Sequence, residues 1–175
     1  TRMNALLQQW EARCGASSAL RFVDVNLRGI GQVMFQDNPL SGLLFFVAIG
    51  WGSYAAGLPQ VALGGLVAVV TATLAAQWLC VDAADLRAGL YGYNAYLVGL
   101  AFGTFLFVSP LWWAYVALGA AVSVPATLGT ARLMSTWGVA ALTAPFVVTT
   151  WLFLLATYAF SAIQGGALPM TAEVT

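Results

Sequence analysis

Apolar residues fall in five long blocks between residues 39 and 163, with short polar or glycine- and proline-bearing links between them. The blocks are Pro39 to Ala56, Gln60 to Val81, Ala88 to Phe107, Pro110 to Leu133 and Gly138 to Ala162. Each approaches the about 20 apolar residues that a helix needs to cross a hydrocarbon core. The links Gly57-Leu58-Pro59, Asp82 to Arg87, Ser109-Pro110 and Met134 to Trp137 are short, which predicts closely packed antiparallel neighbours. Ahead of the first block, Arg21 to Gln36 reads RFVDVNLRGIGQVMFQ, too charged at its start to cross and too apolar at its end to remain in water. An interfacial amphipathic helix and a short re-entrant helix both fit that pattern. The expected fold is an all-α integral membrane protein of one re-entrant helix plus five transmembrane helices. Residues 1–20 read as a polar leader, 21–163 as the membrane domain and 164–175 as a tail.

Composition agrees with a bilayer setting, since 61% of residues are hydrophobic and 7% charged, too few polar side chains to coat a water-soluble globule. The stretch Thr1 to Ala19 lacks the basic, apolar, small-residue order of a cleaved signal peptide, so the spans are expected to direct their own insertion into the inner (plasma) membrane. Arg2, Arg13, Arg21, Arg28, Arg87 and Arg132 all fall on one face of the five-span layout. That face is expected to be cytoplasmic, with the N-terminus inside and Glu173 outside. Trp78 and Trp137 fit a belt at the inner ends and Trp51, Trp112 and Trp113 one at the outer ends, whereas Trp151 reads as a packing residue. An odd number of crossings has a further consequence. A second copy joined end to end would lie inverted, as in transporters built from inverted repeats, so the chain looks like half of a pore.

The sequence offers little to an enzyme. Histidine is absent, which removes the commonest proton shuttle and metal ligand. Cys14 and Cys80 have no metal or redox spacing, and no metal or cofactor is expected. No Asp or Glu lies inside a span, leaving an ion-coupled pump little to work with.

Three patches of neutral hydrogen-bonding groups interrupt the apolar pattern. In the first, Asn38 suits a helix N-cap and Pro39 the first helical position, while Gln32 and Phe35 lie three apart, on one face if helical. In the second, three tyrosines, an asparagine and three glycines open a span, with Tyr93 and Leu97 four apart. An interfacial tyrosine belt and close helix packing account for Tyr91 and the glycines, but not for Asn94. In the third, Pro145 is expected to push Ala144 out of the helical region and leave amides unpaired near Thr143. A broken helix at membrane depth needs shelter by protein or a water-filled cavity. A kink healed by the neighbouring threonines is the structural alternative.

The segments RGIGQVMFQDNPLSG at 28 to 42, GLYGYNAYLVGLAFG at 89 to 103 and LTAPFVVTTWLFLLA at 142 to 156 together resemble the urea transporter family, over about Leu27 to Ala156. The resemblance implies that each half of a family member is a tilted re-entrant helix followed by five membrane helices, two inverted halves enclosing a narrow pore. It implies that Gln32 is a pore-lining amide at the filter and Val33 a small filter residue. It makes Phe35, Tyr93 and Leu97 the walls of a slot for flat urea, and Thr143 a hydroxyl at the mid-pore constriction. Such a slot suits a planar neutral solute whose N–H groups need in-plane acceptors.

One departure stands out, because family members carry both halves in one chain and this sequence contains each motif once. Completion of the pore would take an inverted identical chain, the missing half of a longer protein or a separate partner. The arginine asymmetry speaks against dual insertion, yet the inverted identical pair is the first expectation, and complete pores are expected to cluster. The leading function is a passive urea channel without nucleic-acid partners. The alternatives are a channel for water, ammonia or short amides, and a non-conducting membrane subunit.

Overall fold

The computed structural model describes residues 2–159, 163, 165 and 166, with side chains from residue 8 onward. The expectations for Glu173, for the end of the fifth block at 160–162 and for most of the tail at 164–175 lie outside the described residues. The described chain is built from eight helices: α1 (Arg2–Ala16), α2 (Ser18–Gln32), α3 (Pro39–Ala55), α4 (Gln60–Trp78), α5 (Ala83–Arg87), α6 (Gly92–Phe105), α7 (Pro110–Ser135) and α8 (Ala144–Thr157).

Local signals set most of the boundaries. Asn38 Oδ1 accepts the amide of Leu40 at 2.8 Å with Pro39 opening α3, as the sequence suggested. Ser17 and Ser109 cap α2 and α7, and Asp82 accepts from the amides of Ala84 and Asp85, making the expected Asp82–Arg87 link a one-turn helix. Pro125 removes one backbone donor inside α7. Nearby, Ser123 donates to Ala120 O at 2.7 Å and Thr127 to Ser123 O at 2.8 Å.

Helices α4 and α6 form the centre, and small residues are the reason. A Cβ on Gly99 would lie 2.3 Å from Gly64 O, and one on Gly64 would lie 2.7 Å from Gly99 O, so the two backbones touch. Ala68, Ala72 and Ala76 of α4 continue this seam against Ala95, Val98 and Phe102 of α6, with α7 and α8 packed over it through Trp112, Val116, Ala120 and Phe153. Phe102, Tyr115 and Phe153 form an aromatic trio with ring centroids 5.0–5.7 Å apart. On the other side, Ile30 of α2 and Tyr96 of α6 meet Val69 of α4 beneath Phe45, Phe46 and Ile49 of α3.

The outer surfaces of these helices are apolar, with Leu44, Trp51, Leu74, Trp78, Leu118 and Leu155 all uncovered. Helices α4 and α7 are long and apolar enough to cross a membrane; α3 and α8 are apolar but shorter. Such a surface suits lipid or further protein, not water. Two tryptophans depart from expectation, Trp112 from the outer belt and Trp151 from a packing role. Trp112 is fully buried because its indole Nε1 donates to Phe102 O at 3.2 Å, and Trp151 is 66% exposed instead of packed. Tyr91, expected at an interface, is buried in the core.

Candidate solute cleft

Helix α2 stops at Gln32 because the chain must turn back into α3, and the turn runs through Phe35 at φ +56°. Phe35 therefore does not share a helix face with Gln32, and Gln36 lies beyond the helix that the sequence extended to it. Space forces glycine here, since a Cβ on Gly42 would lie 1.8 Å from Leu27 O and one on Gly31 would lie 2.6 Å from Gln36 O. The end of α2 also meets the turn before α6. Gly89, at φ +77°, lies against Gly29, where a Cβ would fall 2.3 Å from the Gly29 amide nitrogen. In that setting Gln32 Nε2 donates to Ala88 O at 3.0 Å.

The third patch is interrupted earlier than the proline suggested. Residues 138–143 are non-helical, Leu142 has φ +46°, and Ala144 itself begins α8. Its early amides are not left unpaired: Phe146 N–H donates to Asn94 Oδ1 at 3.2 Å and Val147 N–H to Thr143 O at 3.1 Å. Asn94 Nδ2 donates to Leu142 O at 3.3 Å, and the hydroxyl of Tyr93 donates to the same carbonyl.

Between these pieces lies an open cleft of about 360 Å³. Gln32 and Phe35 form one wall, Leu90, Tyr91 and Tyr93 the second, and Ala140, Ala141 and Leu142 the third. Thr127, Leu128 and Ala131 of α7 and Asp85 of α5 complete its lining. Of the residues singled out from the sequence, Gln32, Phe35 and Tyr93 meet here. Val33 instead packs half-buried beside Ile30, Val69 and Tyr96. Leu97 is half-buried one turn beyond Tyr93 on α6, and Thr143 is exposed just before α8, neither of them lining this cleft. The α7 residues gave no sequence signal, because they sit within a mostly apolar block and the Thr127 hydroxyl is spent on its own helix.

The chemistry of the cleft is that of neutral groups. Gln32 spends its donor on Ala88 O, leaving Oε1 as an acceptor without a partner among the described residues. Tyr93 spends its hydroxyl on Leu142 O and offers its ring. The cleft thus combines an amide acceptor with aromatic and aliphatic lining side chains. Asp85 is the one carboxylate among the described lining residues.

A family model described as urea transporter matches residues 23–174. The chain belongs to the urea transporter family. It is 36% identical over 146 residues to urea transporter 1 of Ovis aries, covering 82% of this chain and 37% of that protein. It is likewise 36% identical over 141 residues to urea transporter 1 of Mus musculus, covering 79% of this chain and 35% of that protein. The chain therefore spans little more than a third of the length of the curated relatives it matches.

A second cavity, of about 420 Å³, lies among α1, α2 and α5 and is strongly charged. Arg28 holds it together, pairing with Asp24 at 2.8 Å, Asp37 at 2.7 Å and Glu11 at 3.6 Å, while Trp10 Nε1 donates to Asp24 at 2.6 Å. This network ties the leader helix and the α2–α3 turn to α2. Cys14 lies beside it, and burial, with Asp24 adding to it, pushes its thiol pKa up. None of the six predicted solute residues is found there.

Proposed function

We propose that this chain supplies one half of a transporter pore, not an enzyme, and that the pore passes urea passively across the plasma membrane. The observation that carries the reading is Gln32, whose amide nitrogen is spent on Ala88 O, leaving its oxygen without a partner among the described residues in a cleft that Phe35 and Tyr93 also line. Urea is flat, neutral and rich in N–H donors, so it matches an in-plane acceptor between apolar faces. Modest neutral sites let a solute replace its water and still leave, as rapid flux requires.

In this reading α3, α4, α6, α7 and α8 cross the membrane, the short ones sheltered by their neighbours, and α2 dips in from the cytoplasmic side with the N-terminus inside. Five crossings leave the unit to be completed by an inverted second half, either an identical chain or a further repeat. Phe35, Val139, Leu142 and Val148 are uncovered, which supports a partner closing the open side of the cleft. Val33, Leu97 and Thr143 would then contact solute along the completed path, and complete pores would cluster.

The test is urea shrink–swell kinetics in proteoliposomes carrying the complete assembly, wild type against Gln32→Leu. Loss of urea flux by about tenfold or more in the variant, with assembly unchanged, is the expected result, because the leucine offers no acceptor to replace lost hydration. Equal flux would overturn the assignment of Gln32. Flux of water or ammonia without urea would favour a different neutral solute, and no flux at all a structural subunit.

A further inference from the structure

The most deeply buried amide near the cleft does not touch it. Asn94 is 0% exposed and absent from the cleft lining, yet its carboxamide reaches Leu142 of one wall at one end and Phe146 of α8 at the other. Nδ2 holds Leu142 O at 3.3 Å and Oδ1 accepts the Phe146 amide at 3.2 Å, so one side chain of α6 ties the end of the non-helical stretch to the first turn of α8. Pro145 brings no amide of its own, which leaves Phe146 the first amide past it in need of a partner. Ala140, Ala141 and Leu142 line the cleft, and Leu142 is held at a positive φ that a leucine seldom adopts.

We propose that Asn94 is a positioning residue for solute selection: it clamps residues 140–142 at a fixed distance from Tyr93 and so sets the width of the slot. This rests on the channel reading of the same cleft. Free of the clamp, the wall keeps only the Tyr93 hydroxyl as a tie at Leu142 O, gains room to move, and the Phe146 amide, now without its partner, competes for water. The slot then discriminates less between urea and bulkier relatives.

Two measurements test it. The first needs no variant and no solute: amide hydrogen exchange in the assembled wild type. Phe146, although in the first turn of a helix, is expected to be protected, and exchange as fast as at residues 140–142 would overturn the clamp. The second compares permeabilities of urea and N,N′-dimethylurea, per assembled protein, for wild type and Asn94→Ala. Urea flux is expected to fall about tenfold or more, displacements of about 1 Å being enough for such losses, and the urea-to-dimethylurea ratio to fall with it. A ratio within twofold of wild type would reduce Asn94 to a packing residue and overturn the proposal. Asn94→Leu keeps the size and shape of the side chain and removes both of its hydrogen-bonding groups, so it replaces the alanine variant where that one does not assemble. It is expected to lower the ratio too, and an unchanged ratio would again overturn the proposal. A wild type that passes no urea would refute the channel reading, and exchange at Phe146 would still decide whether the clamp exists.

Discussion

Trp112 and Tyr96 are both fully buried, but they treat their polar atoms differently. The indole of Trp112 donates to Phe102 O, whereas the hydroxyl of Tyr96 has no partner among the described residues. Replacing a bonded group strands its acceptor, while removing an unbonded one relieves a desolvation penalty. Trp112→Phe is therefore expected to destabilise the fold by about 1–3 kcal/mol and Tyr96→Phe to leave it unchanged or stabilise it slightly, read as thermal melting in detergent or lipid. The two cysteines offer a second contrast. Cys14 is 7% exposed with its thiol pKa raised by burial, and Cys80 is exposed. Less of Cys14 is thiolate at neutral pH, so maleimide is expected to label Cys80 much faster; comparable rates at both sites would contradict the docking of α1 on α2. Thr143→Val is expected to slow urea permeation less than Gln32→Leu, because backbone acceptors remain beside it; an equal loss would show the hydroxyl itself to be essential.

Helix starts were legible where the capping side chain is followed by proline, and were not read at the Ser17 and Asp82 caps. Asn38-Pro39 and Ser109-Pro110 open α3 and α7 where the sequence placed the spans, and Asn38→Ala is expected to cost about 1 kcal/mol, measured by chemical or thermal unfolding. What the sequence could not convey came from contacts between distant segments. The break in the third patch falls at 138–143 and not at Pro145, because Asn94, about fifty positions earlier, supplies the partner that lets Ala144 begin the helix. Phe35 leaves the helix face that its spacing suggested, because Gly31 and Gly42 admit a turn whose tightness only the packed pair reveals. Trp112 and Tyr91 looked like belt residues by composition and are core residues by partner. The glycines of α4 and α6 were legible as small residues, though not as a specific pair. Gly99→Ala is expected to disrupt the α4–α6 contact and lower stability by about 1–3 kcal/mol or more, since its Cβ would lie 2.3 Å from Gly64 O.

Membership of the urea transporter family was readable from the three polar patches, and the match over residues 23–174 bears that out. The candidate site was readable in part: Gln32, Phe35 and Tyr93 converge on one cleft, while Val33, Leu97 and Thr143 lie off its lining. A cleft with an uncovered apolar rim, in a chain spanning little more than a third of its relatives' length, belongs to a larger pore in our reading. The most direct test is stopped-flow urea flux through the assembly that contains this chain and its second half, in liposomes whose ion gradients have been collapsed. Rapid urea equilibration, undiminished without ion gradients, is the predicted result; an intact assembly through which urea moves no faster than through bare lipid would contradict the account.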